Sequence, residues 1–104
     1  MLLAIPHFSK VRKEQRVEIV RIEDIRKVIL RIMEDYTEII LVRNEPIGKI
    51  YVRREATINA LDNLYRVMKM ADRVSIVTID ENGDIKMLKD MLKEVLKGDK
   101  NEEV

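Results

Sequence analysis

A chain of 104 residues, 46% hydrophobic and 38% charged, has the material for one domain with a modest core and is too apolar for an intrinsically disordered segment. It contains no cysteine, which excludes disulfides and thiolate chemistry and leaves the redox compartment open. Its 20 basic and 19 acidic residues nearly cancel, unlike the strong positive excess of proteins that coat DNA.

The balance is uneven along the chain. Residues 1–54 carry 12 Lys/Arg against 8 Asp/Glu, whereas residues 55–104 carry 8 against 11. An anionic partner would therefore be met by the first half. Abundant Lys, Glu, Arg and Ile with few Gln is a thermophile-like composition. No apolar run approaches the ~20 residues of a membrane span. The opening "MLLAIPHF" lacks the basic start and small-residue cleavage site of a signal peptide. A cytoplasmic protein with no membrane partner is the expectation.

Residues 1–15 read as an N-terminal segment or edge strand, followed by a single α/β domain over 16–97 and an acidic tail over 98–104. Within the domain, "RVEIVRI" (16–22) is β-branched and apolar enough for a strand. "EDIRKVILRIMEDY" (23–36) spaces Ile25, Val28, Ile29, Ile32, Met33 and Tyr36 as an amphipathic helix does, with Glu23 and Asp24 at the positive helix end. "EIILVR" (38–43) is a continuous apolar run, as in a strand buried on both faces. "NEPIG" (44–48) has turn chemistry, and "KIYVR" (49–53) is the returning strand. A helix over 55–71 has a stripe through Ala60, Leu61, Leu64, Tyr65, Met68 and Ala71. "RVSIVTI" (73–79) is a strand. The remainder admits two readings: Asn82-Gly83 is a hairpin dipeptide, while Ile85, Leu88, Met91, Leu92, Val95 and Leu96 have helical spacing, with Asp84 and Gly98 as candidate caps. The helix is favoured. The order matches a ferredoxin-like β-α-β-β-α-β sandwich, an α+β fold with an additional C-terminal helix. Its helices would cover one sheet face and leave the other open.

Several chemistries are excluded. His7 is the one histidine, so imidazole–thiolate metal sites are out of reach. Gly48, Gly83 and Gly98 are isolated and form neither a P-loop nor a dinucleotide fingerprint. "DENGD" (80–84) lacks the sixth-position glycine and distal Glu of a calcium loop. His7 two residues before Ser9 reads as incidental rather than as a base beside its nucleophile. The expectation is a non-enzymatic protein without metal or cofactor.

What remains is the strand "KIYVR". Lys49, Tyr51 and Arg53 point one way, and Ile50 and Val52 the other. If the apolar pair lies under the helices, the Lys-Tyr-Arg row faces outward, where bases stack on aromatic rings and cations meet phosphates. Arg21 and Arg43 are read as extending that surface, with Arg54 at the strand–helix junction and Lys10, Arg12 and Lys13 in the N-terminal loop.

"IGKIYVR" partly resembles the third-strand signature of the RNA recognition motif: Gly48, Tyr51 and Val52 fit, while Lys49 stands for an aromatic and Ile50 for a small residue. The runs over 17–41 and 54–79 resemble the strand-helix-strand-helix-strand core of Alba chromatin proteins. "HFS", "ATIN", "DRVSI" and "MLKEVLKG" look similar to a family of archaeal-virus proteins that includes the type III anti-CRISPR ring nucleases. That resemblance implies an archaeal setting and a surface for cyclic oligoadenylate, with Ser9 at the family's serine and Arg54 near the place of its histidine. The leading expectation is a small RNA- or DNA-binding protein. The alternatives are a structural or regulatory homodimer that uses the open sheet face for self-association or a partner, and a cyclic-oligonucleotide-binding or ring-nuclease-like protein of archaeal-virus type.

Overall fold

A computed structural model describes residues 1–9, 11–70 and 75–102. Among them are seven strands: β1 (Leu2–Ser9), β2 (Glu14–Arg21), β3 (Lys27–Ile32), β4 (Tyr36–Val42), β5 (Pro46–Arg53), β6 (Ile76–Ile79) and β7 (Ile85–Met87). Two α-helices, α1 (Thr57–Lys69) and α2 (Leu88–Glu102), and two short 3-10 helices, Ile22–Asp24 and Arg54–Ala56, complete the described elements. The fold is α+β, but it is not the ferredoxin-like sandwich expected. The strands form two sheets, one of four strands in the order β2-β1-β6-β7 and one of three in the order β3-β4-β5.

The reason lies in residues 23–36, where the structure replaces the expected helix with strand β3 and a turn. β4 is buried on both faces from Thr37 to Val42, so its backbone groups need partners on both edges. β5 supplies one edge; β3 supplies the other, antiparallel, with Lys27 opposite Val42 and Ile32 opposite Thr37. Three of six residues in "KVILRI" are β-branched and suit a strand. The acidic pair Glu34-Asp35 makes the turn, closed by a 2.8 Å hydrogen bond from the Met33 N–H to the Tyr36 carbonyl. The helical spacing was present, but strand pairing outweighed it.

The segment expected as an edge strand is β1, which lies inside its sheet with β2 on one side and β6 on the other. Its pairing with β6 is parallel and brief, joining Leu2 to Ile76 and Leu3 to Val77. The Leu2 N–H donates to the Ser75 carbonyl at 3.2 Å, so alternate residues Ala4 and Pro6 also present their backbone towards β6. Pro6 has no N–H to give, and the strands part. Of the expected strand 73–79, residues 73–74 fall outside the described residues.

One core joins the two sheets. Leu3 and Ile5 of β1 and Val77 and Ile79 of β6 share it with Ile39 and Leu41 of β4 and Ile50 and Val52 of β5. The sheets approach closely at Gly48, where an added Cβ would lie 2.6 Å from Ile5 Cδ1. Ala60, Leu64 and Val67 of α1 enter the same core. Tyr65 and Met68, expected in that stripe, are exposed instead, because the buried line follows Val67. Ala71 lies outside the described residues. At the ambiguous end both readings hold in part: Asn82-Gly83 turns β6 into β7, and α2 follows from Leu88. Asp84 is not a helix cap, and α2 runs on through Gly98.

That turn is docked onto α1. Asn59 donates its amide to the Asn82 carbonyl at 2.9 Å and to Asp84 Oδ1 at 2.8 Å, and Asn63 donates to the Gly83 carbonyl at 2.7 Å. Gly83 is buried with φ +79°, and a Cβ there would fall 2.6 Å from the Ala60 nitrogen and 2.9 Å from the Ala56 carbonyl oxygen. Both the left-handed conformation and the neighbouring backbone demand glycine. Gly83→Ala is expected to destabilise the fold by about 2–4 kcal/mol, measured as a lowered urea midpoint at unchanged slope.

Candidate functional site

The outer face of the three-stranded sheet is assembled by alternation. Lys49, Tyr51 and Arg53 project from β5 opposite the buried Ile50 and Val52. The register places Lys49 across from Ile40, Tyr51 across from Glu38 and Arg53 across from Tyr36. β3 adds Ile29 beside Ile40 and Arg31 beside Glu38. The row therefore occupies a face shared by three strands. Met91 and Glu94 of α2 line a cavity together with Lys49 and Tyr51 of this row.

Two rings meet there. The Tyr36 and Tyr51 centroids are 6.0 Å apart with planes inclined by 50°, a tilted pair within the usual range for aromatic contacts. Both rings remain exposed on one side. Beneath them Glu38 is only 7% exposed. It accepts a 3.1 Å hydrogen bond from Arg31 Nη1 and sits directly across from Tyr51. Partial burial, followed by the nearby Glu38 charge, pushes the Tyr51 phenol above its ordinary value of 10.0, while Arg31 opposes the shift. Glu38 is thus a recessed anchor that fixes one guanidinium beneath the rings. Solvent meets the rings and the cations.

The cations are not all equally available. Arg53 pairs with Glu81 at 3.1 Å and is held a second time by its own N–H, which donates to the Glu81 carbonyl at 2.8 Å. Arg31 is committed to Glu38. Lys49 makes no ion pair among the described residues. It also lines a cavity of about 310 Å³ with Ala4, Ile5, Tyr51, Ile79 and, from α2, Met91. The buried Thr78 hydroxyl, without a partner, lies in its wall. Asp80, Glu81 and Glu94 also line this cavity; their charge disfavours a phosphate inside it.

The other basic residues expected at this surface are scattered. Arg54 follows Arg53 directly in a short 3-10 turn and is exposed. Arg43 lies in the β4–β5 connection, at the far end of the hairpin from Arg53, paired to Asp24 at 3.5 Å. Arg21 does not extend the row: it ends β2 in the other sheet, where buried Val20 points to the core and Arg21 away from it. Arg12 and Lys13 occupy the β1–β2 turn, Lys13 with φ 53° and Arg12 3.8 Å from Glu14. Lys10 lies outside the described residues. Arg31 and Tyr36 were missed as site residues because the expected helix over 23–36 separates them from β5, and Glu38, though in the expected strand 38–43, was not read as part of the site. Their signal was the strand period in Ile29–Arg31 and the acidic turn pair after Met33.

His7 sits in a shallow hollow beside Gly48 and Lys49, its Nε2 3.6 Å from Glu18. The Ser9 side chain lies outside the described ones. Among the described residues no group of His, Asp and Glu is placed to hold a metal ion, and no helix is long and apolar enough to cross a membrane. No protein-family model, curated protein or solved structure matches this chain.

The Tyr51 phenol, raised first by its partial burial and then by the Glu38 charge, carries a pH signature. A raised folded-state value means that its contribution is complete below pH 10, and is lost as pH rises through the raised value. Spectrophotometric titration of phenolate is expected to contain a component above 10.0 that Tyr51→Phe removes. Glu38→Gln should move that component back towards the ordinary value. An unchanged titration in both variants would contradict the geometry.

Proposed function

We propose that the protein is a non-enzymatic binder of single-stranded nucleic acid, RNA in the first instance, through the outer face of the β3-β4-β5 sheet. The observation that carries this reading is the Tyr36–Tyr51 pair, set on an open face between Lys49 on one side and Arg53 on the other. Unpaired bases stack on such rings whatever their sequence, and each stacked base contributes about 1–3 kcal/mol. The ring missing from the sequence motif is supplied from β4, one strand over. A duplex hides its base faces and gains nothing from the rings, so the same surface discriminates against it.

The charge on the face limits the affinity. Lys49, Arg31 and Arg53 stand against Glu38 and, at the rim, Glu81. Two to three phosphate contacts are the most that such a set supports, giving a slope of log K against log salt of about −2 for a single strand. Stacking must then provide much of the binding free energy.

Fluorescence anisotropy with labelled single-stranded RNA and duplex DNA over a salt series tests the reading. Single strands are expected to bind more tightly than duplex, with the shallow slope given above. Tyr51→Ala should weaken binding roughly 5- to 150-fold, the range set by one lost stacking contact, and adding Arg53→Ala should weaken it further while the far-ultraviolet spectrum stays native. Unchanged affinity in the folded double variant would sink the proposal.

A further inference from the structure

We infer that two copies of this chain pair edge to edge through β3, in one register, with Leu30 opposite Leu30 of the second copy. β3 ends the order β3-β4-β5, so among the described residues one of its edges has no strand beside it. The Met33–Tyr36 bond shows which groups face β4. Alternation then directs the N–H and C=O of Val28, Leu30 and Ile32 away from β4, into solvent. The side chains on this edge are apolar on both faces: Ile29 is 41% exposed and Ile32 58%, with Leu30 and Met33 also exposed. An unpaired, apolar edge of this kind is a template for another strand.

Charge identifies the occupant as a second copy. Arg26 and Lys27 precede the apolar run, and Glu34 and Asp35 follow it. All four are exposed and make no ion pair among the described residues. Antiparallel pairing about a two-fold axis lays the basic end of each strand on the acidic end of the other. Outward-facing backbone groups must also meet, which leaves three registers near the middle of the strand. Centring on Ile29 sets Lys27 against Arg31, and centring on Arg31 sets two guanidinium groups against each other; like charges directly opposite are destabilising. Centring on Leu30 opposes Val28 to Ile32 and Ile29 to Arg31, and brings Arg26, just before the strand, to the end where Glu34 follows it in the other copy. No like pair remains. Lys27 and Arg31 thus act as register selectors on an otherwise permissive edge.

The pairing gives one six-stranded sheet, β5-β4-β3-β3-β4-β5. Its outer face spans about 24 Å from one β5 to the other at the usual strand spacing. Both Tyr36–Tyr51 pairs lie on that face. The pairing stands apart from the nucleic-acid reading, and its test involves no nucleic acid.

The absence of cysteine makes the register directly readable. Residues paired across a two-fold in hydrogen-bonded positions have Cα atoms about 5.5 Å apart, within disulfide reach, whereas diagonal neighbours lie about 7–8 Å apart. Under mild oxidant, Leu30→Cys is expected to yield a reducible covalent dimer, and Ile29→Cys little. Equal linking at both positions, or none at Leu30→Cys in a folded protein, overturns the register. Sedimentation velocity should show a concentration-dependent monomer–dimer exchange in the unmodified chain; a concentration-independent monomer overturns the pairing itself. Glu34→Arg should raise the dissociation constant about tenfold through its two symmetry-related contacts, and Arg26→Glu combined with Glu34→Arg should restore it. Both positions are exposed, so these variants keep the fold, and failure of the charge exchange to restore pairing counts against the proposal.

Discussion

A strand enclosed on both faces has nowhere to send its peptide groups except to neighbouring strands. β4 is that strand in this protein, buried from Thr37 to Val42, and leaving even one peptide group unsatisfied there would cost about 1–3 kcal/mol. Much else depends on it. It converts residues 27–32 from an amphipathic helix into β3. By doing so it brings Arg31 and Tyr36 onto the same surface as Tyr51, and it leaves β3 itself with an open edge. A single hydrogen-bonding requirement therefore generates the aromatic pair, the recessed carboxylate and the exposed apolar strand together.

The buried polar groups follow the same accounting. Thr37 is fully buried in β4, and its hydroxyl lies 2.7 Å from that of Thr57. Thr57 spends its one proton on the Arg54 carbonyl, also at 2.7 Å, so Thr37 must be the donor between the two hydroxyls. This short relay ties the centre of the three-stranded sheet to the start of α1. Glu38, one residue later and on the other face, is satisfied by Arg31. Adjacent residues on β4 thus anchor the helix on one side and order the candidate binding surface on the other.

Much of this was legible in the amino acids, and the parts that were not have identifiable causes. The alternation in Lys49–Arg53 placed Tyr51 on an outer face correctly, because a period of two is unambiguous when the intervening residues are Ile50 and Val52. The Asn82-Gly83 turn was legible from turn chemistry alone. The segment 23–36 was not, since Val28, Ile29 and Ile32 fit both a helical stripe and a strand, and local spacing carries no information about β4's need for a partner. The split into two sheets was equally hidden: it depends on β1 meeting β6, a contact between residues far apart in the chain. Tyr36 and Arg31 were lost from the candidate site with the helix that was expected to contain them.

That contact between distant residues has a kinetic consequence. Leu2 finds its partner Ile76 only 74 residues later. On a ribosome the β1–β2 hairpin therefore emerges long before β6 exists. Until then the inner edge of β1, carrying Leu3 and Ile5 beside it, has no neighbour. The β3-β4-β5 meander is local in sequence and can form early, while the four-stranded sheet waits for nearly the whole chain. Non-local strand pairing of this sort slows folding and prolongs the lifetime of an unprotected edge. Pro6, by denying that edge one of its donors, shortens the stretch of β1 on which a wrong strand can settle during synthesis.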